Sequence, residues 1–388
     1  MTHNTLSTLA IIGHVALRFL PVWIALVATF AVSIPFKRRL GLYGKLFDSP
    51  IGMVGFTIVM FWVYTAIFAN LVMTEDPLYQ IVQLKNASIG SILPKGSHNY
   101  PYYLLGGDNL ARDVFSRMVA GARLVLVIAP AATAVAYTVG ITLGLPAGYY
   151  GGRRDAALTF IANLVLAFPV ILLFYLLVTP AIRQLGIPMA LAAVLFLIPI
   201  VFVVVLLNSR FYTQPARRNL YVGVALVVGL WMYAGAAFNA DPLGLFEMDP
   251  NKLNIFVAVV FVNSPTVFRI VRGLTFDIKS RDYVAAAQTR GEGPWYIMLW
   301  EILPNARGPL IVDFCLRIGY TTILLGTLGF FGLGFSPESP DWGSTINAGS
   351  KLLSFYPAPA IVPAVSLMSL VLGLNLLADG LREESLRD

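Results

Sequence analysis

A single cysteine, Cys315, and three scattered histidines, His3, His14 and His98, leave this chain without the material for an internal disulfide or a paired-ligand metal site. Cys315 sits in an apolar run, where burial as a small hydrophobe is the default. No stretch fits GxxxxGKS or GxxxxGKT, and neither HExxH nor GxSxG occurs, which excludes a phosphate-cradling loop, a zinc-protease helix and a nucleophile turn. The chain should hydrolyse no ATP itself. Charge is scarce as well: 12% of the 388 residues are charged against 57% hydrophobic, with a mean hydropathy of +0.76. A soluble fold cannot cover that much apolar surface, so the chain belongs in a bilayer.

The apolar material comes in runs of about 20 residues, long enough to span a hydrocarbon core of about 30 Å as helix. Strand-length alternation is missing, so the expected fold is all-α and polytopic rather than a barrel. The spacing predicts nine crossings: Val15 to Phe36, Ile51 to Met73, Ala120 to Gly148, Ala157 to Pro180, Pro188 to Leu207, Leu220 to Asn239, Leu253 to Val271, Gly308 to Gly334 and Pro357 to Ala378. The first run lacks a small-residue cleavage site and is followed by Lys37, Arg38 and Arg39, so it reads as a retained anchor.

The net charge of +7 does not point to nucleic acid, because the basic residues gather in loops beside apolar runs. Lys37 to Lys45, Arg153 with Arg154, Arg210 with Arg217 and Arg218, the Lys279 to Arg307 region and Arg382 all fall on one side of this threading. Glu75, Asp76, Asp108, Asp241, Glu247, Asp249, Glu338 and Asp341 fall on the other. Positive residues mark the cytoplasmic face, which makes the C-terminus cytoplasmic and the N-terminus exoplasmic. Arg18 and Pro21 leave a second reading open, an interfacial first helix with its N-terminus inside. Exoplasmic material concentrates in Thr74 to about Met118, with Pro77, Pro94, Gly96, Pro101, Gly106 and Gly107, and in Phe335 to Tyr356, with Pro337, Pro340, Trp342 and Gly343.

Between apolar runs lies a polar island, SRDYVAAAQTRGEGPWYIMLWEILP, from Ser280 to Pro304. Ser280 as N-cap, Asp282 and Arg290 at opposite dipole ends and a left-handed Gly291 define one short helix. Gly293 and Pro294 open a second, which Pro304 should close at Leu303. Trp295, Met298, Leu299 and Ile302 share a face of the second helix, while Ala285, Ala286 and Ala287 keep the first one thin. Such a hairpin suits a partner's groove; the plainer alternative is an amphipathic hairpin on the membrane surface. Within the spans, Asp313 and Arg317 stand one turn apart. They read either as part of a substrate pathway or as a structural ion pair, the latter being preferred, since pairing offsets about 2.5 to 3.5 kcal/mol per unpaired charge at midplane.

From Leu105 onward the chain resembles the C-type inner-membrane permease subunits of bacterial dipeptide and oligopeptide ABC importers. GGDNLARDVFSRMVAGAR (Gly106 to Arg123) is similar to that family's GTDxxGRDxxSRxxxGAR, AGYYGGRRD (Ala147 to Asp155) to AGYxGGxxD, and LAFPVILL (Leu166 to Leu173) to LAFPxLLL. VFRIVRG (Val267 to Gly273) is similar to ARLVRG, FFGLGFSPESPDWGS (Phe330 to Ser344) to SFLGLGxxPPxPxWGx, and NLLADGLRE (Asn375 to Glu383) to NLLGDxLRD. The island resembles the family's EAA loop through Ala286, Ala287, Gly291, Ile302, Leu303 and Pro304.

The resemblance implies a type I ABC importer transmembrane domain in the bacterial inner membrane. It implies a second permease subunit as heterodimer partner, two cytoplasmic ATPase subunits and an exoplasmic substrate-binding protein, with no cofactor and no catalysis on this chain. It assigns the ATPase-coupling role to Ala285, Ala286, Ala287, Gly291, Trp295, Ile302, Leu303 and Pro304. The expected cargo is a di- or oligopeptide, although relatives carry nickel chelates, opines or sugars; an ion-coupled secondary carrier and a membrane scaffold are the alternatives from other classes. Expected divisions are 1–50 (extra helix and basic linker), 51–118 (first family helix and exoplasmic loop) and 119–388 (permease core, hairpin at 280–304). Ala285 stands where the family has glutamate, Ala111 replaces the second glycine of its GTDxxGRD, and Gly107 replaces that motif's Thr. About 186–252 forms an insertion of two apolar spans around the Arg210 to Arg218 turn, expected at the periphery.

Overall fold

The computed structural model describes residues 5–94, 99–238, 240–241, 243–244, 249–333, 336 and 338–385. Asn239 and Gly334, at the ends of two expected spans, lie outside the described residues, as do His3, Gly96, His98, Glu247, Phe335 and Pro337. The principal helices are α1 (Thr8–Arg18), α2 (Leu20–Phe36), α3 (Pro50–Ile67), α4 (Val114–Tyr150), α5 (Gly152–Leu166), α6 (Val170–Val178) and α7 (Ile187–Arg210). They continue with α8 (Pro215–Phe238), α9 (Pro250–Ile278), α10 (Asp282–Thr289), α11 (Pro294–Tyr296), α12 (Arg307–Phe330), α13 (Trp342–Ser350) and α14 (Ala358–Ser385). Among the described residues eight helices are long and apolar enough to cross a bilayer, and the α5–α6 pair makes a ninth if counted as one span. The chain is an all-α polytopic membrane protein; the one sheet among the described residues is a two-residue ladder, β1 (Ser91–Ile92) against β2 (Tyr102–Tyr103).

Several expected spans are cut differently. The first run breaks at Phe19 into α1 and α2, and the second stops at Ile67 with a further turn at Ala69–Val72. Helix α4 begins at Val114, six residues ahead of the expected Ala120, because Asp113 accepts from the backbone N–H groups of Phe115 and Ser116 and so caps it. The expected span from Ala157 to Pro180 is two helices bent by 82°. Pro169 disfavours helix at Phe168, and the ladder is interrupted there. The stretch expected as a plain exoplasmic loop after α12 contains α13, capped by Asp341 through Ser344 N–H at 2.8 Å.

The chain divides into two compact units, Met1–Pro130 with Cys315–Asp388, and Ala131–Phe314. In the first, α3 and α14 run antiparallel with almost no side chain between them. A Cβ on Gly55 would strike the backbone at Leu377, one on Gly373 would meet Ile58, and one on Gly380 would meet the Gly52 backbone. Small residues let backbones approach in this way where lipid supplies no hydrophobic drive. Trp62 donates to Ser369 Oγ at 2.9 Å further along the same seam.

In the second unit α4 and α9 run parallel along Gly140, Gly144 and Gly148. Added Cβ atoms there would meet Val267 at 2.5 Å, Val271 at 2.9 Å and the Arg272 carbonyl at 2.6 Å. Arg272 forms a two-pronged ion pair with Asp155 of α5, its Nη2 donating at 2.6 Å. Helices α7 and α8 pack antiparallel, Gly229 against Ile200 and the Tyr233 hydroxyl on the Ala193 carbonyl at 3.0 Å, with most of their outer surface exposed.

Candidate coupling hairpin

At the ends of α9, α4 and α7 the chain folds into the hairpin marked out by its sequence. Helix α10 ends in a Schellman turn: Gly291 has φ +79°, its N–H donates to the Gln288 carbonyl and the Glu292 N–H to that of Ala287. Gly293 is the N-cap and Pro294 opens the second limb. Arg290 reaches across to Glu301 at 2.8 Å and locks the two limbs.

Two expectations fail here. Ser280 does not cap α10; the N-cap position is Arg281, with no side-chain cap bond, and the Ser280 hydroxyl donates back to the Asp277 carbonyl at 3.2 Å. The hydroxyl is engaged in finishing α9 before α10 begins. Nor does the second limb stop at Leu303: a π-helical turn, Ile297–Ile302, leads into a helical turn at Leu303–Asn305 and then into α12. The wider π turn accommodates Pro304, whose missing N–H falls in the first turn of a new helical segment where no donor is required.

The hairpin's apolar side is sunk into its own unit. Val284, Ala287, Ile297, Met298, Leu299 and Ile302 are buried in one cluster with Tyr137, Leu145, Val267 and Val271. The structure thus divides the expected coupling residues. Ala285, Ala286, Gly291 and Pro304 are exposed, Trp295 and Leu303 are half-buried, and Ala287 and Ile302 face inward. Sequence spacing finds the shared face of the second limb but not its destination, which is the bundle. Tyr283, Arg290 and Thr289 join the exposed face.

Polar ties bind the hairpin, and the end of α9 that leads into it, to the ends of α4 and α7. Lys279 Nζ donates to the Gly148 carbonyl at 2.8 Å and Gln288 to the Tyr149 hydroxyl at 3.2 Å. From α7, Ser209 Oγ accepts from the Trp300 indole at 3.1 Å, and the Arg210 guanidinium stacks 4.7 Å over its ring. These long-range partners could not be found from spacing; the only sequence signals are the small-residue repeat Gly140, Gly144, Gly148 and an aromatic beside a basic turn. Asp313 and Arg317 stand one turn apart on α12; the Asp313 carboxylate accepts from the Tyr137 hydroxyl, and Arg317 is buried. Among the described residues no group of three or more His, Cys, Asp and Glu side chains is arranged to hold a metal.

The first unit carries a second polar assembly, in the GGDNLARDVFSR stretch. Asp108 accepts from Arg112 Nε at 2.7 Å, and Asp113 from Thr74 at 2.5 Å and Ser116 Oγ at 2.7 Å. Arg117 donates to the Ser339 carbonyl at 2.9 Å and Thr345 Oγ1 at 3.0 Å, drawing together the stretch that leads into α4 and the one around α13. Burial pushes the carboxyls of Asp113 and Asp341 above their ordinary values, opposed by the hydroxyl and N–H donors from Ser116 and Ser344. Trp342, fully buried, donates to the Met118 carbonyl at 2.9 Å, stacks edge-on against Trp62 and leaves no room for a Cβ on Gly121. Helix α1 joins this assembly: Thr5 bridges Ser91, His14 Nδ1 meets the Tyr100 hydroxyl at 2.6 Å, and Arg18 donates to the carbonyls of Val72 and Met73.

Apolar helices of membrane-spanning length, with a polar hairpin rooted on helix ends, define a polytopic membrane protein. Residues 222–383 match the family of binding-protein-dependent transport system inner membrane components, and the chain belongs to that family. It is 30% identical to a glutathione transport system permease protein of Pectobacterium atrosepticum, over 72% of this chain and 70% of the relative. It is 27% identical to a dipeptide transport system permease protein of Alkalihalophilus pseudofirmus, over 88% of this chain and 87% of the relative. A probable D,D-dipeptide transport system permease protein of Escherichia coli is 25% identical over 88% of this chain and 89% of its own length.

Proposed function

We propose that this chain is one half of the translocation pathway of an ABC importer for small peptides, and that the hairpin from Ser280 to Pro304 is its contact with a cytoplasmic ATPase subunit. The observation that carries the reading is the hairpin's construction. One side is anchored in the bundle and tied to the ends of α4 and α7, while Tyr283, Ala285, Ala286 and Arg290 are left exposed. Closure of an ATPase pair beneath it would displace this knob together with α4, α7 and α9, and so exchange inward- and outward-facing arrangements of the pathway. A second permease completes the pathway, and an exoplasmic binding protein delivers cargo to the side of the Asp108 to Trp342 assembly. The relatives' names support a peptide cargo. The sequence's lack of a phosphate-binding loop supports the reading that partner chains hydrolyse the ATP.

Orientation follows the same reading. Helices α4 and α7 both end at the hairpin, and α7 is about 36 Å long at 1.5 Å per residue. The α5–α6 pair therefore returns the chain to the far side and counts as a passage, which makes nine. With the hairpin inside, the C-terminus is cytoplasmic and the N-terminus exoplasmic, in keeping with the attachment of α1 to the Tyr100 loop.

The test starts from a Cys315→Ser background carrying Ala285→Cys. Oxidative cross-linking in membranes should join the chain to an ATPase subunit, and Gly291→Val, which forces a β-branched residue to φ +79°, should abolish coupled ATPase activity and uptake while the subunit still inserts. Full coupling in Gly291→Val, or cross-links from Ala285→Cys to lipid-facing reagents alone, would defeat the assignment.

A further inference from the structure

The inserted helices α7 and α8 enclose a cavity of about 470 Å³ against α4 and α9. Its lining is apolar: Phe196, Pro199 and Val203 on one side, Ala225, Val228 and Met232 on the other. Pro199 interrupts the α7 ladder at this level, since it offers no N–H to the preceding turn. Two turns further toward the hairpin, about 10 Å along each helix, stand Arg210 at the end of α7 and Arg217 and Arg218 at the start of α8.

Among the described residues these arginines have no carboxylate partner. Arg217 donates to Gln214, Arg218 to Asn219, and Arg210 lies over Trp300. The same connection carries aromatic rings: Phe211 lies against Tyr221 with centroids 4.9 Å apart, and Tyr212 is exposed. Aromatic rings beside arginines at a helix end mark the headgroup level of a bilayer. An apolar slot leading to unpaired guanidinium groups at headgroup depth matches one molecule in both of its parts.

We propose that the insertion is a binding site for an anionic phospholipid of the leaflet on the hairpin side. An acyl chain enters between α7 and α8, and the phosphate is held by Arg217 and Arg218. Because Arg210 and Ser209 of the same turn grip Trp300, the bound lipid braces the hairpin at its second limb.

Native mass spectrometry of the full-length chain, delipidated in detergent and titrated with phosphatidylglycerol or phosphatidylcholine, tests this. Phosphatidylglycerol should be retained preferentially. The double variant Arg217→Gln, Arg218→Gln should weaken its retention roughly fivefold per charge, on the order of thirtyfold together. Ala225→Phe, which fills the slot from α8, should lower retention of phosphatidylglycerol without altering that of free phosphate. Equal retention of both lipids, or unchanged retention in the arginine variant, overturns the site; displacement by inorganic phosphate with no effect of Ala225→Phe reduces it to a surface ion contact and overturns it too. Arg217 is exposed and Arg218 half-buried, and neither has a structural ion pair to lose among the described residues, so that variant should fold whatever becomes of the slot. The readout is lipid retention rather than uptake, so its failure leaves the coupling assignment standing.

Discussion

Ala111 has φ +62°, a region where a Cβ crowds the following carbonyl at a cost of about 1 to 2 kcal/mol. It occupies the position where the resembled motif has its second glycine. Ala111→Gly should therefore stabilise the protein by about 1 kcal/mol, the relief of strain exceeding the added freedom of the unfolded chain. A higher unfolding midpoint by intrinsic tryptophan fluorescence in detergent would register this; a lower one would mean that the lost methyl packs better than it strains. Gly107 answers to the same loop from the other direction, because a Cβ there would strike the Leu84 carbonyl, so the family's threonine cannot be accommodated without moving residues 84–87. Trp342 is the opposite kind of residue, valuable for its bulk. Trp342→Ala would open a cavity beside Trp62 and remove the indole bond to the Met118 carbonyl, at roughly 3 to 5 kcal/mol. Chemical denaturation should find that loss, whereas Trp342→Ala with an unchanged midpoint would contradict the packing described.

At the level of elements, the seam between α4 and α9 depends on glycine where helix propensity argues against it. Gly144→Leu places a branched chain against Val271 and the Phe268 carbonyl, and should lower the yield of folded protein and coupled activity together. Gly273→Ala, on the same α9 but with open space around the Cβ, should do neither. Comparing the two by size-exclusion profile and uptake separates a seam from a general intolerance of glycine loss. The hairpin's turn was legible because Gly291 and the Gly293–Pro294 pair each have one cheap local conformation. Its ends were not, because Ser280 had two backbone groups within reach and a π turn lets a helical path survive Pro304. The spans were visible as apolar runs, yet the bend at Pro169 and the early start at Val114 turned on single residues inside those runs. Asp155 with Arg272 and Ser209 with Trp300 stayed hidden, since partners more than ninety residues apart leave no trace in local spacing.

For the whole molecule the sharpest expectation concerns sidedness. In the Cys315→Ser background, Thr5→Cys, exposed beside Ser91, should react with a membrane-impermeant maleimide in intact spheroplasts. Tyr283→Cys in the hairpin should react only after permeabilisation. Reaction at neither position before permeabilisation would return the opening helix to the interfacial reading with its N-terminus inside and break the count of nine passages, and reaction of Tyr283→Cys in intact spheroplasts would overturn the sidedness of the hairpin. The same glycine seam has a mechanical corollary. Where two backbones touch at Gly140, Gly144 and Gly148 there is no cushion of side chains to shear, so a push arriving near Lys279 shifts α4 and α9 as a single strut. Under the proposed coupling, flexing in that unit would fall to the corner at Ala167–Pro169, where the hydrogen-bond ladder is already open and the chain bends by 82°.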